Sequence, residues 1–347
     1  MRLAPFVVWP ETLGPLEQAE GGYWSPQAGR LYAVRRGLVF MGYPTRDAAM
    51  IQATMKEERA WQGTGEAAAR NLAFLRESAP RAVDFINVVH PYVTHGDQPP
   101  RALELGCGNG WVSWLLAAAG FETWMCDFEA NSLATGLNLD HPNLGEGRRF
   151  VTDARYAPIA SGSMDLVMLK EFAHHVKDCQ PLFREANRVL REGGVLGLME
   201  PVRSVKQTLY ELRHPDPREG HAITWPNAYL RAIRRTGFTV IRETPVYVPG
   251  SSRRRVTARM RRRAEAAIDD ARPGGDWFSQ LHLRLVGGAQ LIVVGRKTSE
   301  LPEGERPAMA AIDPATLVIG EDEMAGYTEF PTVLREAASR LTAPMQA

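Results

Sequence analysis

A short glycine-rich segment, residues 102–110 (ALELGCGNG), constrains this 347-residue chain more than any other stretch. An apolar run leads into three alternating glycines, Gly106, Gly108 and Gly110, and an apolar helical pattern follows over residues 111–119. The segment therefore predicts a strand, a tight loop and a helix. Glycines let a ligand approach bare backbone, and the N–H groups at the start of the helix point toward such a ligand.

The spacing of these glycines distinguishes between two ligands. A dinucleotide fingerprint, G-x-G-x-x-G, would place its third glycine where Trp111 stands. The observed pattern is G-x-G-x-G, preceded by Glu104. It resembles the first motif of the class I S-adenosylmethionine (SAM)-dependent methyltransferases, E-x-G-x-G-x-G. The resemblance implies that the loop, with Cys107 as a small filler, lies against the methionine end of SAM and that Glu104 lies near its ammonium group.

Two further acidic segments follow in the order of that family. The run ETWMCD predicts a second strand that ends in Asp127, whose carboxylate can accept both ribose hydroxyls, as it also would in a nicotinamide enzyme. We expect Phe128, next to it, to lie against the adenine. After a short third strand, the resemblance implies that Asp153, followed by Ala154, meets the adenine amino group.

A buried-strand run, residues 164–169, leads to the polar candidates of the site. These are Lys170, Glu171, His174 and His175. The next segment has the 3.6-residue apolar rhythm of a helix and a glycine stop at 191–194, before a strand over 195–199 that ends at Glu200. The motifs thus keep the order of the family from residue 102 to residue 201.

The fold class implied by the resemblance is α/β, with a Rossmann-like, seven-stranded, mostly parallel sheet and helices on both faces. We predict the sixth strand at 238–247 and the seventh, antiparallel, at 289–296. Core strands should be apolar almost throughout, because both faces of the sheet are covered. The predicted organisation is a small N-terminal β-containing module (1–60), a helical lid or linker (61–100), the methyltransferase core (101–297) with an Arg-rich insert (248–288), and a C-terminal extension (298–347).

The segments outside the core carry weaker patterns. Residues 31–40 predict two short strands around a turn, and they resemble the zinc-ribbon-like N-terminal domain of many family members, here without cysteine and therefore without its metal. Helices over 48–60 and 65–89 are expected to pack on the core and to cover the cofactor. An amphipathic helix over 331–341 is expected to dock on the core or on a second copy, which leaves a homodimer open.

Composition excludes several functional classes. The contents of 44% hydrophobic and 23% charged residues are typical of a globular protein. The formal net charge of +1 gives no overall attraction to nucleic acid or membrane. No apolar run approaches the ~18 residues of a transmembrane helix, and the apolar run before Pro10 is too short for a signal peptide. Three cysteines without metal-ligand spacing favour a reduced, cytoplasmic setting and no metal site.

Four residues are candidates for the chemistry. His174 and His175 suit a general base because imidazole titrates near neutrality. The resemblance also implies a second role, because in that family one histidine of such a pair commonly braces the start of a helix. Glu171 could contact the SAM amino group or a cationic substrate. Lys170, beside it in sequence, is assigned to cofactor binding. His221 lies in a segment that resembles the substrate-facing loop of the family.

The leading hypothesis is a methyltransferase that moves the methyl group of SAM to a small molecule by in-line displacement and leaves S-adenosylhomocysteine. Positioning alone can supply ~7–11 kcal/mol in such a reaction. The acceptor atom (O, N, C or S) stays open.

Three alternatives remain. The arginines from Arg253 to Arg263 would serve an RNA or anionic lipid-headgroup methyltransferase, unless they form a solvated helix and pair with its own acids. A non-catalytic SAM-binding partner or regulator is a second alternative. A nicotinamide dehydrogenase is disfavoured by Trp111.

Overall fold

The computed structural model describes the chain in ranges separated by gaps. These ranges are residues 3–62, 67–137, 139–145, 147–205, 208–209, 223–247, 289–320, 323 and 326–342. The predicted Arg-rich insert, 248–288, and the candidate His221 lie outside the described residues. The chain divides into two compact units, Met1–Asp165 with Pro302–Ala347, and Leu166–Leu301.

The described residues contain thirteen strands and seven α-helices. The strands are β1 (Glu17–Ala19), β2 (Gly22–Ser25), β3 (Arg30–Arg35), β4 (Leu38–Phe40), β5 (Gly42–Pro44), β6 (Arg101–Leu105), β7 (Glu122–Asp127), β8 (Arg149–Val151), β9 (Met164–Lys170), β10 (Leu190–Pro201), β11 (Phe238–Tyr247), β12 (Ala289–Lys297) and β13 (Met309–Ala311). The helices are α1 (Ala48–Gln62), α2 (Ala67–Val89), α3 (Trp111–Ala118), α4 (Ala130–Thr135), α5 (Gln180–Val189), α6 (Pro226–Arg235) and α7 (Phe330–Ala338).

In the first unit, the N-terminal strands continue the sheet of the core. The hydrogen-bonded order within this unit is β1-β2-β3-β4-β8-β7-β6. Strands β1 to β4 pair antiparallel, whereas β4 with β8, β8 with β7, and β7 with β6 pair in parallel. The parallel pairs bring the carboxyl ends of β6, β7 and β8 to one edge, where the loops that follow them meet.

The sequence of the core explains its burial. Every residue of β6 after Arg101 is buried, and so are the four inner residues of β7. Strands covered on both faces are apolar throughout rather than alternating. Helix α3 is buried from Trp111 to Ala117, which explains why its sequence is apolar on all sides instead of amphipathic.

The N-terminal strands have a small aromatic core of their own. The rings of Trp9 and Tyr32 stack with centroids 3.9 Å apart, and both side chains are buried. Burial raises the pKa of the Tyr32 phenol, so this hydroxyl stays neutral. Stacked aromatic pairs add ~0.5–1.5 kcal/mol to the effect of area burial, and this pair helps to hold the hairpins together.

The C-terminal segment wraps back onto the first unit. Strand β13 pairs antiparallel with β5, and the buried residues of α7 are Phe330, Leu334 and Ala337. Between these elements the side chain of Asn131, in α4, holds the segment. Its Oδ1 accepts hydrogen bonds from the backbone N–H groups of Val318 and Ile319 at 2.8 and 3.0 Å. Residues far apart in sequence therefore form one unit with the core.

The second unit contains the remaining core strands. Its order is β9-β10-β12-β11, and β12 pairs antiparallel with both β10 and β11. The predicted antiparallel seventh strand is therefore present as β12. Helix α5 buries Leu182, Phe183 and Ala186, and α6 buries Tyr229 and Ile233.

The predicted α/β class and Rossmann-like architecture are confirmed, but the predicted count of seven strands is too small. The difference arises because β1 to β4 join the core sheet at β8 instead of forming a separate layer. The expected glycine stop is also wrong: α5 ends at Val189, and Gly193 lies inside β10 with a φ of 72°. The four-segment domain organisation stays a prediction. Among the described residues, no helix has the length and apolar character that a membrane crossing requires.

We predict that Asn131→Ala loosens the C-terminal segment. Two backbone N–H groups would lose their acceptor, which costs ~1–3 kcal/mol when such groups are left unpaired. The amides of Val318 and Ile319 should then exchange with solvent about 5- to 150-fold faster in a hydrogen-exchange measurement. Asn227→Ala, on the exposed surface of α6, is the matched control and should leave their exchange unaltered. Unchanged protection in Asn131→Ala would show that the segment is held elsewhere.

Candidate functional site

The glycine loop between β6 and α3 depends on left-handed backbone. Gly106, Gly108 and Gly110 have φ values of 70°, 56° and 79°. L-residues pay ~1–2 kcal/mol for this conformation, so the alternating glycines are required by the turn itself. The loop is closed by hydrogen bonds from the N–H groups of Gly106 and Cys107 to the carbonyl of Cys126, at 2.9 and 3.2 Å.

Two of these glycines have different surroundings. A Cβ added to Gly108 would meet no atom within 4 Å, whereas one added to Gly110 would lie 2.5 Å from Sδ of Met125. Gly108 therefore faces open space that a ligand can enter, and Gly110 is required because buried side chains leave no room. This open, glycine-lined backbone fits the methionine end of SAM.

Asp127 joins the glycine loop to the end of β7. One carboxylate oxygen accepts a hydrogen bond from the N–H of Gly108 at 2.9 Å, and the other accepts from the N–H of Glu129 at 3.0 Å. A carboxylate offers about four acceptor positions, so ribose hydroxyls are compatible as further donors. Phe128, which follows it, is half-buried. The structure thus places Asp127, the residue predicted to bind the ribose, in contact with the predicted glycine loop.

Glu104 and Cys107 lie beneath the loop. Glu104 is 2% exposed and accepts a hydrogen bond from the hydroxyl of Ser113, on α3, at 2.5 Å. Burial raises the pKa of the Cys107 thiol well above its usual value, and the charges of Asp127 and Glu104 raise it further. The thiol is therefore protonated and unsuited to nucleophilic chemistry, which agrees with its interpretation as a small filler.

The structure pairs Asp153 with a side chain that the sequence analysis did not consider. Both of its carboxylate oxygens accept hydrogen bonds from Arg155, whose guanidinium also bridges to Asp47 at 2.7 Å. Asp153 and Ala154 are buried. The carboxylate is therefore largely engaged in an ion pair at the end of β8, and its contact with adenine stays a prediction.

A cavity of about 150 Å³ lies over the glycine loop. It is lined by Asn71, Phe74, Leu75, Cys107, Gly108, Asn109, Trp111, Ser132 and Phe330. Helix α2, the predicted lid, contributes the first three of these residues, and the C-terminal helix α7 contributes the last. The specific lining residues on α2 and α7 were missed, because apolar periodicity indicates a docking helix without indicating what it docks against.

In the second unit, the buried side chain of Glu200 organises the loop after β9. Its carboxylate accepts hydrogen bonds from the N–H groups of Phe172 and Ala173 at 2.7 and 2.6 Å. Its other oxygen lies 2.7 Å from Nδ1 of His174. Glu200 has no exposed surface. Three donors thus compensate this buried carboxylate, and one of them is a candidate base.

The two histidines differ in exposure. His174 is buried and His175 is exposed, with ring centroids 4.2 Å apart. Beside them in sequence, Glu171 has a left-handed φ of 52°, which is unusual for a residue other than glycine. Its carboxylate accepts hydrogen bonds from Lys170 and from Gln290 of β12. Gln290 was not a sequence candidate, because no motif links β12 to this loop.

The comparisons with known proteins concern the part of the chain that contains the glycine loop. Residues 103–198 match the family described as Methyltransferase domain. Malonyl-[acyl-carrier protein] O-methyltransferase of Hahella chejuensis is 31% identical over 114 residues, which are 33% of this chain and 40% of that protein. 27-O-demethylrifamycin SV methyltransferase of Amycolatopsis mediterranei is 33% identical over 133 residues, which are 36% of this chain and 46% of that protein. The chain therefore matches less than half the length of these relatives.

Among solved structures, Haemonchus contortus phosphoethanolamine N-methyltransferase 2 in complex with S-adenosyl-L-methionine is similar with a TM-score of 0.44 and 16% identity, covering 70% of this chain and 59% of that one. The sequence matches confirm the predicted SAM-dependent methyltransferase domain and SAM as its cofactor. The described residues contain no group of three or more His, Cys, Asp or Glu side chains that could hold a metal ion.

We predict that two glycine substitutions in the loop destabilise the protein to different extents. Gly108→Ala should lower the free energy of unfolding by ~1–2 kcal/mol, the cost of the left-handed backbone, and should weaken SAM binding at least tenfold because the methyl group enters the ligand space. Gly110→Ala should lower the free energy of unfolding by ~2–5 kcal/mol, because overlap with Met125 adds to the same cost. Urea denaturation and calorimetric titration with SAM measure the two effects. Equal stability of the two variants, with SAM binding unaffected by Gly108→Ala, would contradict the assignment.

Proposed function

We propose that this protein transfers the methyl group of SAM to an oxygen atom of a small molecule. SAM supplies an activated methyl group, so the protein has to align donor and acceptor and accept the proton of a hydroxyl. The relatives named above act, by their names, as an O-methyltransferase and as a methyltransferase of a 27-O-demethyl compound. The observation that carries the proposal is the contact between His174 and Glu200.

That contact prepares His174 for the role of a base. A carboxylate only accepts hydrogen bonds, so the proton of the neutral imidazole lies on Nδ1 and the lone pair lies on Nε2. The carboxylate also stabilises the imidazolium that forms when Nε2 takes a proton, the same arrangement that serves histidine in hydrolytic triads. Glu200 is then a positioning residue, and the backbone N–H groups of Phe172 and Ala173 fix it in place.

On the cofactor side, we assign the methionine end of SAM to the glycine loop and the ribose hydroxyls to Asp127. The support for this assignment is the open space at Gly108 and the bond from its N–H to Asp127. Phe128 is assigned to the adenine face. Glu104 acts from beneath the loop as a buried charge near the ammonium group of the ligand.

The remaining candidate residues, Lys170, Glu171, His175 and His221, are assigned to the substrate. Glu171 and Lys170 form an ion pair, so we propose that they orient the acceptor as a pair instead of contacting SAM separately. The strained backbone of Glu171 supports this role, because residues in sparsely populated conformations cluster at active sites. His175 and His221 remain candidates for contact with the substrate.

Three further proposals concern the N-terminal module, the location of the protein and its oligomeric state. The N-terminal module is proposed to be a zinc-ribbon-like domain that has lost its metal, with the Trp9–Tyr32 stack as the replacement for a metal-centred core. We also propose a cytoplasmic location and a homodimer.

The methyl transfer itself is tested with methyl-labelled SAM and a panel of phenols, carboxylic acids, amines and thiols. Labelled ethers or esters would support O-methylation. Label only on nitrogen or sulfur would overturn it, and calorimetric SAM binding without any product would favour a non-catalytic SAM-binding role. NAD is the matched ligand control in the titration and should not bind.

With an accepted hydroxyl substrate, we predict that His174→Gln lowers kcat by ~10²–10⁴-fold, the usual contribution of a general base. The Kd for SAM should stay within about twofold, because His174 is assigned no cofactor contact. Steady-state kinetics and calorimetry measure these quantities.

His175→Gln is the matched comparison and should lose less than about tenfold in kcat. Glu200→Gln should lower kcat more than it raises KM, because it misorients the base. A large loss in His175→Gln with a normal His174→Gln would refute the choice of base.

A further inference from the structure

A second cavity in the first unit lies away from the glycine loop. Its volume is about 640 Å³, within the ~300–1,000 Å³ typical of small-molecule sites. Arg101 and Glu122, the first residues of β6 and β7, line it, together with Arg148, which precedes β8. These strands are parallel, so the cavity lies at their amino ends, whereas the glycine loop and Asp127 follow their carboxyl ends. Five residues of strand separate the two sites by ~17 Å.

The cavity is formed by the N-terminal residues against the core. Apolar side chains line much of its wall, among them Leu3, Phe6, Val7 and Leu16. Phe6 meets Trp124 edge-to-face, with ring centroids 5.0 Å apart. A ligand that enters this space would therefore bury an apolar body against the N-terminal module.

The charged side chains that line this cavity are two arginines and one glutamate. Glu122 accepts a hydrogen bond from Arg148 at 2.6 Å and lies 3.8 Å from Nε of Arg101. The guanidinium of Arg101 stacks over Phe6, 4.6 Å from the ring centroid, and its side chain is 44% exposed. Among the described residues, no side-chain hydrogen bond of Arg101 satisfies its donors. The lining side chains thus carry a net charge of +1, and Asp165, outside the lining, accepts a hydrogen bond from the backbone N–H of Arg101 at 2.7 Å.

We infer that this cavity is a second binding site, separate from the cofactor site, for an apolar monocarboxylic acid. The carboxylate receives the N–H donors of Arg101 and the aliphatic body lies along Leu3, Val7 and Leu16. A single negative charge matches the net charge of the side chains that line the cavity, and a carboxylate, unlike a neutral or cationic head group, forms charge-assisted hydrogen bonds with an arginine. The inference does not depend on the proposed methyl transfer.

Calorimetric titration of the full chain with decanoate tests the site, with decanol and decylamine as probes of the head group. Decanoate should bind saturably and at least tenfold more tightly than either analogue. Arg101→Gln should weaken decanoate about tenfold to a hundredfold, because a charge-assisted hydrogen bond is lost. Leu16→Trp should weaken decanoate at least tenfold, because the larger side chain occupies space along the proposed path of the aliphatic body.

Matched controls separate these effects from general ones. Arg234→Gln, an exposed arginine of α6, and Leu31→Trp, an exposed leucine of β3, should bind decanoate as the unmodified protein does. SAM titrations of Arg101→Gln and Leu16→Trp should be unchanged, which also shows that both variants are folded. Absent decanoate binding, equal affinity for decanol, competition between decanoate and SAM, or normal binding by both cavity variants would overturn the inference.

Discussion

The carboxylate of Asp127 is the interaction on which the first unit depends. One oxygen fixes the glycine loop through Gly108, and the other fixes the turn that leads into α4 through Glu129. Glu129 in turn caps α4 and holds Asn131, which anchors the C-terminal segment. A chain of side-chain hydrogen bonds therefore links Asp127, the residue proposed to bind the ribose, to a segment about 190 residues further along the sequence. Removing Asp127 would affect both cofactor contacts and the geometry of the loop, so an Asp127→Ala variant measures both effects together.

The sequence predicted those parts of the fold that depend on local patterns. Strands β7 and β11 have the predicted bounds, and the glycines form the predicted tight loop between a strand and a helix, because burial and turn geometry act over a few residues. The pairing of β4 with β8 and of β13 with β5 could not be derived, since nothing in a short strand identifies a partner more than a hundred residues away. Gly193, inside β10, limits the prediction in a related way. A glycine can end a helix or allow a bend within a strand, and the local sequence does not distinguish these two cases.

The candidate site was predictable to the level of residue type and less so to the level of contact. Asp127 and the glycines were predicted from their residue types and spacing, and the structure brings them into contact, while their contact with SAM stays a prediction. Asp153 met the same criterion, yet Arg155, two residues later, engages its carboxylate. His174 and His175 were equivalent in sequence, and only tertiary structure separates them: Glu200, 26 residues later, holds one of them buried. The distinction between a ligand and a structural ion pair depends on neighbours that a motif does not contain.

The two ends of the parallel strands carry different polar groups. At the carboxyl ends of β6 and β7, acids and glycine backbone provide acceptors and N–H donors, which suit a ligand with hydroxyls and an ammonium group. At the amino ends, arginines stack on aromatic rings and share one glutamate, which suits a single anionic head group. The N-terminal module extends the sheet at β4 and also forms the wall of the cavity at the amino ends. One addition to the core thus covers a surface at the amino ends of the core strands, because Phe6 packs against both Arg101 and Trp124.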